Sequence, residues 1–121
     1  MNSKPILIVP GEPKSTFFEI LFKSLKLIKI KSPLIIICNK KLLYKEIRRF
    51  NFQKKIEKFD QKIIKNKKIY LINISNNNPQ IYIQKCFDYA FSLLKIGLTN
   101  KFINGPINKT KTLKKKYLGI T

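Results

Sequence analysis

The fold of this chain is decided by the stretch Ile6-Leu7-Ile8-Val9-Pro10-Gly11-Glu12-Pro13, close to its beginning. Four consecutive apolar residues that end at Pro and Gly predict a short buried strand followed by a turn. A second apolar run, Leu34–Cys38, begins directly after Pro33. Neither run alternates between apolar and polar residues, which is typical of strands in a parallel sheet that is covered on both faces.

Helical patterns separate these strands. Thr16 and Glu19 have the spacing of a capping box, which predicts a helix start. Apolar residues then recur at helical spacing, at Phe18, Leu21, Phe22, Leu25 and Ile28. A second helix is predicted to begin near Asn39 and to end near Asn51, with its apolar face formed by Leu42, Leu43, Ile47 and Phe50.

The second half of the chain continues the alternation. Two strands are predicted over residues 55–59 and 68–74, and Asn78 followed by Pro79 is typical of a helix N-cap and first helical position. That helix should end at Gly97, before a strand over residues 101–103 and a last helix over residues 107–118 with Gly119 as its C-cap. The sequence therefore predicts an α/β fold whose mostly parallel sheet has helices on both faces.

Ligands in such folds bind at the carboxyl ends of the strands. Two loops of this kind are notable here, residues 10–13 after the first strand and residues 104–109 after the last. A sheet whose strand order reverses would bring both loops to one cleft. From the residues alone, the first loop is more typical of a tight turn with an exposed glutamate than of a ligand site.

The second loop, Gly105-Pro106-Ile107-Asn108-Lys109, is a glycine turn into a predicted helix N-terminus. Helix N-termini favour anions, and a lysine one turn in could bind a phosphate, although an ordinary turn with a solvated lysine fits equally well. The sequence lacks a Walker loop and a G-x-G-x-x-G fingerprint. Cys38 and Cys86 are predicted to be core residues, and no histidine is present.

Composition bounds the class of protein. The 121 residues are enough for one domain, and 44% hydrophobic residues are too many for a disordered chain. No apolar run is long enough to span a membrane, and the first residues do not form a signal peptide. We therefore expect a soluble cytoplasmic protein that has no membrane partner.

The net charge of +20 has two explanations that the sequence leaves open. It fits a polyanion partner such as nucleic acid. It also fits a compositional drift, because Lys, Ile and Asn make up nearly half of the chain and only Arg48 and Arg49 are arginine. The lysines are spread along the whole sequence, whereas specific nucleic-acid sites tend to favour arginine.

The two loops, about a hundred residues apart, carry a resemblance to a known family. The strand that ends in Pro10-Gly11-Glu12-Pro13 resembles the opening of 4-hydroxythreonine-4-phosphate dehydrogenases. The strand Leu34–Cys38, followed by residues 39–42, is similar to their second strand and helix. The segment from Asn104 to Lys109 resembles their Thr-Gly-Pro-x-x-Lys segment, and residues 118–121 resemble the stretch that leads to their Gly-His-Thr-Glu.

The resemblance implies the isocitrate and isopropylmalate dehydrogenase-like fold, with residues 1–121 as about the first third of a two-subdomain homodimeric enzyme whose downstream subdomain is missing. It implies oxidation of 4-phosphooxy-threonine by NAD or NADP, followed by decarboxylation, in pyridoxal phosphate biosynthesis. A divalent metal (Zn²⁺, Mg²⁺ or Co²⁺) would be held by downstream histidines. The fragment alone would be inactive. Gly105, Pro106 and Lys109 are the positions that we expect to form the cleft and face a phosphate.

Three parts of the sequence depart from the family's pattern. Residues 14–18 replace a glycine-rich continuation, Asn104 replaces a threonine, and Asn108 stands where a histidine is common. The departures leave open a sister enzyme that acts on a related phosphorylated hydroxy acid. A small basic RNA- or DNA-binding module is the alternative function, but its aromatic residues should be exposed among the basic ones. Here Phe18, Phe22, Phe87 and Phe91 fall on the apolar faces of predicted helices.

Overall fold

The computed structural model describes residues 3–107. Strands and helices alternate along most of this range, and their order is β1 (Ile6–Val9), α1 (Phe17–Leu27), β2 (Leu34–Cys38), α2 (Lys40–Arg49), β3 (Ile56–Lys58), β4 (Ile69–Asn73), α3 (Pro79–Lys95) and β5 (Lys101–Asn104). The apolar runs of the first two strands are predicted with their observed bounds. The last predicted helix and its C-cap Gly119 lie outside the described residues from residue 108 onward.

The strands form one five-stranded sheet in the order β3-β4-β2-β1-β5, and every neighbouring pair is parallel. The central strand pairs are in direct register, so that Ile8 lies between Ile36 of β2 and Ile103 of β5. The chain moves from β1 toward one edge through β2 and returns from β4 to β5 on the other side of β1. This confirms the predicted α/β fold, and the strand order reverses in the way that brings the first and last loops together.

Both faces of the sheet are covered by helices. Alternate strand residues point to opposite faces, so that Leu7 packs with α3 while Ile8 packs with α1 and α2. On the second face Phe22 is fully buried and its ring stacks on Phe52, with 4.6 Å between the ring centroids. Because the three central strands β1, β2 and β4 each contribute to both cores, they are continuous apolar runs, whereas the edge strands β3 and β5 contain charged residues.

Side-chain and backbone caps fix the ends of α3. The Oδ1 atom of Asn78 accepts hydrogen bonds from the amides of Gln80 and Ile81 at 2.9 and 3.1 Å, as its predicted N-cap role requires. At the other end Gly97 has φ +82°, and the amide of Leu98 donates to the carbonyl of Leu93. This Schellman arrangement explains why the helix ends at this glycine.

Two details predicted for α1 are wrong. The Thr16 side chain makes no cap hydrogen bond, because the Thr16 backbone (φ −84°, ψ 6°) lacks the extended conformation of an N-cap. The Glu19 carboxylate accepts from Lys23 Nζ at 2.7 Å instead of closing a capping box. The hydroxyl of Ser15 accepts from the Phe17 amide in its place. Ile28 is 57% exposed rather than part of the apolar face, since the helix ends at Leu27 and Ile28 has an extended backbone.

No helix in residues 3–107 combines the length and the apolar character that a membrane crossing requires.

The two faces of α1 should respond very differently to truncation. Phe22→Ala should lower the free energy of unfolding by about 3–5 kcal/mol, because it empties a fully buried stacked position. Leu27→Ala, at a side chain that is 87% exposed, should change it by less than about 0.5 kcal/mol. Urea denaturation of both variants measures the difference, and equal losses would contradict this packing.

Candidate functional site

The loops that follow β1 and β5 lie side by side at the carboxyl edge of the sheet, because β5 is the neighbour of β1. Two backbone hydrogen bonds join them. The amide of Gly105 donates to the carbonyl of Val9 at 2.8 Å, and the amide of Glu12 donates to the carbonyl of Pro106 at 2.8 Å. The structure thus brings together the two loops that the sequence places about a hundred residues apart.

Glycine makes this close approach possible. A Cβ on Gly105 would overlap the carbonyl oxygen of Pro10 and lie 2.9 Å from Phe17 Cγ. Gly11 has φ +84°, a conformation that L side chains rarely adopt, and a Cβ there would overlap the carbonyl oxygen of Pro106. The contact between the loops is therefore one of backbone against backbone, without an intervening side chain.

The predicted site residues have separate places in this arrangement. Gly105 is buried and its amide is occupied by Val9, while the Pro106 ring is exposed and its carbonyl is occupied by Glu12. The Asn104 side-chain amide donates to the Gly105 carbonyl at 2.9 Å. Gly105 therefore positions the loop, and its N–H is not directed at a ligand. Lys109, together with Asn108, lies outside the described residues.

A cluster of polar groups lies between the carboxyl ends of β2 and β4. The connection after β2 leads to α2 on one face of the sheet, and the connection after β4 leads to α3 on the opposite face. Asn39 is the centre of the cluster. The backbone amide of Asn39 donates to the Tyr82 hydroxyl at 2.7 Å, its Nδ2 donates to the Ile74 carbonyl at 3.1 Å, and its Oδ1 accepts from the Leu42 amide. The amide of Lys40 donates to Asn73 Oδ1 at 2.8 Å. Divergent connections of this kind open a crevice at the carboxyl edge.

A cavity of about 500 Å³ lies beside this cluster, at the carboxyl ends of β3 and β4. Its polar lining includes Lys40, Tyr44, Lys58, Asn73 and Tyr89 together with the acidic residue Glu57. Ammonium groups and phenolic hydroxyls can bind a small acidic molecule. The sequence analysis did not predict this cavity, because it treated Asn39 as a helix start and did not link it to Asn73. The available signal was an asparagine at the carboxyl end of both β2 and β4.

The two thiols are core groups, as predicted. Cys38 and Cys86 are each about 1% exposed. Burial raises the pKa of Cys86 to about 12, and burial also raises the pKa of Cys38 far above its ordinary value. Burial likewise raises the pKa of the neighbouring Tyr82. These groups stay protonated at neutral pH, so neither thiol is an activated nucleophile.

The described residues do not fit a metal site. Within residues 3–107, no three His, Cys, Asp or Glu side chains are grouped so that they could hold an ion, and the sequence contains no histidine. The metal that the family resemblance implies therefore has no ligand set in this part of the chain.

Solved structures that share this fold include 4-hydroxythreonine-4-phosphate dehydrogenases. The enzyme from Burkholderia phymatum is 19% identical and matches 99% of this chain with a TM-score of 0.75. The enzyme from Klebsiella pneumoniae is 19% identical over 92% of this chain, with a TM-score of 0.72. A protein from Salmonella typhimurium that is provisionally assigned to the same enzyme is 18% identical over 98% of this chain, with a TM-score of 0.76.

These likenesses confirm the predicted fold. The chain spans 42%, 38% and 43% of the lengths of the three structures, respectively. No protein-family model matches the sequence, and a search of curated proteins finds no match.

Substitution of two glycines should separate close packing from backbone strain. Gly105→Ala should lower the free energy of unfolding by about 3 kcal/mol, since its Cβ meets backbone atoms that cannot rotate away. Gly97→Ala should lower the free energy of unfolding by about 1 kcal/mol, because the φ of +82° at this position is unfavourable for alanine while the space around it is open. Urea denaturation measures both, and a Gly105→Ala cost no larger than that of Gly97→Ala would contradict the close contact.

The buried thiols should make stability depend on alkaline pH. The unfolded thiols ionise near pH 9, whereas the folded ones keep their protons to about pH 12 in the case of Cys86. The folded state thus binds more protons in this window, and stability should fall as the pH rises, by about 1.4 kcal/mol per pH unit for each thiol.

The control for this effect is the double variant Cys38→Ala, Cys86→Ala. Its stability should fall less steeply above pH 9 than that of the parent chain, as measured by urea denaturation at a series of pH values. Identical slopes in the two proteins would show that the thiols do not carry the effect.

Proposed function

We propose that this chain is the N-terminal segment of a 4-hydroxythreonine-4-phosphate dehydrogenase, an enzyme that oxidises 4-phosphooxy-threonine with NAD or NADP, with decarboxylation following, in pyridoxal phosphate biosynthesis. One observation carries the proposal. The loops with the family-like motifs Pro10-Gly11-Glu12-Pro13 and Gly105-Pro106-x-x-Lys109 are hydrogen-bonded to each other at the carboxyl edge of a sheet of the matching fold.

Each residue of this loop pair has a distinct role in the proposal. Gly11 and Gly105 act as positioning residues, because their missing side chains let the two loops close on each other. Pro106 is exposed next to this contact and forms part of the cleft wall. Lys109 supplies the positive charge for the substrate phosphate, the role that suits an ammonium group.

The remaining parts of the site belong to the rest of such an enzyme. A bound nicotinamide cofactor would supply the hydride acceptor, and the divalent metal would be Zn²⁺, Mg²⁺ or Co²⁺. The described residues do not fit the metal, so we place its ligands in the downstream subdomain. We accordingly expect the whole enzyme to be a cytoplasmic homodimer and the 121-residue segment to be inactive alone.

The buried aromatic rings disfavour a small RNA- or DNA-binding module. Phe18, Phe22 and Phe87 are at most 1% exposed. They are packed within the two cores and are not available to stack on bases.

Enzyme assays of the full-length protein test the proposal. The protein should reduce NAD or NADP in the presence of 4-phosphooxy-threonine and a divalent metal, followed by the absorbance of the reduced nicotinamide. Lys109→Ala should lower kcat/KM about tenfold or more, since it removes a charged contact to the phosphate. Lys101→Ala, at the opposite end of β5 and exposed, is the matched control and should leave kcat/KM unchanged.

Three results would contradict parts of this proposal. Failure to reduce either cofactor with any of the three metals would overturn the activity. Turnover of a threonate phosphate instead of 4-phosphooxy-threonine would identify the sister enzyme. Equal effects of the two lysine substitutions would remove Lys109 from the phosphate site.

A further inference from the structure

Pairs of lysines precede three neighbouring strands of the sheet. The strands β3, β4 and β2 are adjacent and parallel, so the segments that lead into them lie at the same amino edge. Each segment carries two lysines shortly before its strand, namely Lys29 and Lys31 before β2, Lys54 and Lys55 before β3, and Lys67 and Lys68 before β4. Distant parts of the sequence thereby contribute to one basic edge.

These six lysines line one groove with a volume of about 670 Å³, which we call the amino-edge groove. The other lining residues among those that the structure describes are Ile30 and Ile69. The groove lies at the edge of the sheet opposite to the loops of Gly11 and Gly105. Its ligand is therefore independent of the proposed dehydrogenase site.

Few of these charges are neutralised by the protein. Lys54 Nζ donates to the Leu25 carbonyl at 2.7 Å, and Lys68 Nζ lies 3.5 Å from the Glu57 carboxylate. Across residues 3–107, no carboxylate lies within ion-pair distance of the four others, Lys29, Lys31, Lys55 and Lys67. Like charges that share a groove repel each other, so an anion bound there would relieve the repulsion.

We propose that the amino-edge groove binds an anion that carries several phosphate groups in a row. Ammonium groups bind phosphates as point charges, and six lysines line this one groove. No aromatic side chain of residues 3–107 lines the groove, so this part of the chain offers bases no stacking partner there. Recognition is therefore through phosphates alone, whether they belong to a soluble polyphosphate or to the backbone of a single-stranded nucleic acid.

Two variants of equal charge test the proposal in the full-length protein. The groove variant replaces Lys29, Lys31, Lys55 and Lys67 by Gln and keeps Lys54 and Lys68, which bind protein atoms. The control variant replaces Lys41, Lys45, Lys85 and Lys95 by Gln, which are exposed on α2 and α3. Tripolyphosphate binding is measured by calorimetry, and binding of a fluorescent single-stranded oligonucleotide by anisotropy at several salt concentrations.

The groove variant should bind at least one of the two probes with an affinity about tenfold or more below that of the parent protein. The control variant should differ from the parent in affinity by less than about twofold. For the oligonucleotide, the slope of log K against log salt should become shallower by about 3, or about 0.7 for each lost contact. The thermal midpoint of the unliganded groove variant should equal or exceed that of the parent, since repulsion is relieved. This midpoint also shows that the variant is folded.

The two probes identify the source of the phosphates. Groove-dependent binding of tripolyphosphate alone indicates a soluble polyphosphate, and groove-dependent binding of the oligonucleotide alone indicates a nucleic-acid backbone; both results support the site. Equal weakening in the two variants would show an effect of net charge alone and overturn the proposal. Absence of binding by both probes at physiological salt would overturn it as well.

Discussion

The backbone of Gly105 lies against the Pro10 carbonyl with no room for a side chain, and the rest of the carboxyl edge depends on this contact. It requires β5 to be the neighbour of β1, which in turn requires α3 to cross the face of the sheet opposite to α1 and α2. Two hydrogen bonds then connect the loops that resemble the dehydrogenase motifs. The strand order thus turns two distant sequence segments into one candidate site.

The local fold follows from the sequence because its signals are local. Buried strands such as Leu34–Cys38 are uninterrupted apolar runs, and Asn78 with Pro79 has the chemistry of a helix start. The two wrong details lie at the ends of α1, where residue spacing alone does not determine which contacts form. Glu19 has the spacing of a capping box but binds Lys23 one turn later, and Ile28 continues a helical pattern beyond the helix that supports it.

Features of the site that depend on strand order are harder to predict from the sequence. The sequence allowed the two loops to be expected at one cleft. It did not predict that the Gly105 amide donates a hydrogen bond to the Val9 carbonyl, because this bond depends on the register of β5 with β1. The lysines are evenly spread in the sequence, and only the adjacency of β3, β4 and β2 gathers six of them in the amino-edge groove. Charge clustering of this kind is a property of topology and is not visible as a run in the sequence.

The most direct test of the proposed identity is to determine the coding sequence that follows the codon for Thr121. We expect an open frame that continues with Gly-His-Thr-Glu and goes on to encode further histidines and a second subdomain. A stop codon directly after Thr121 in the intact gene would contradict it. The chain would then lack the metal ligands and the second half of the cleft that a dehydrogenase of this family requires.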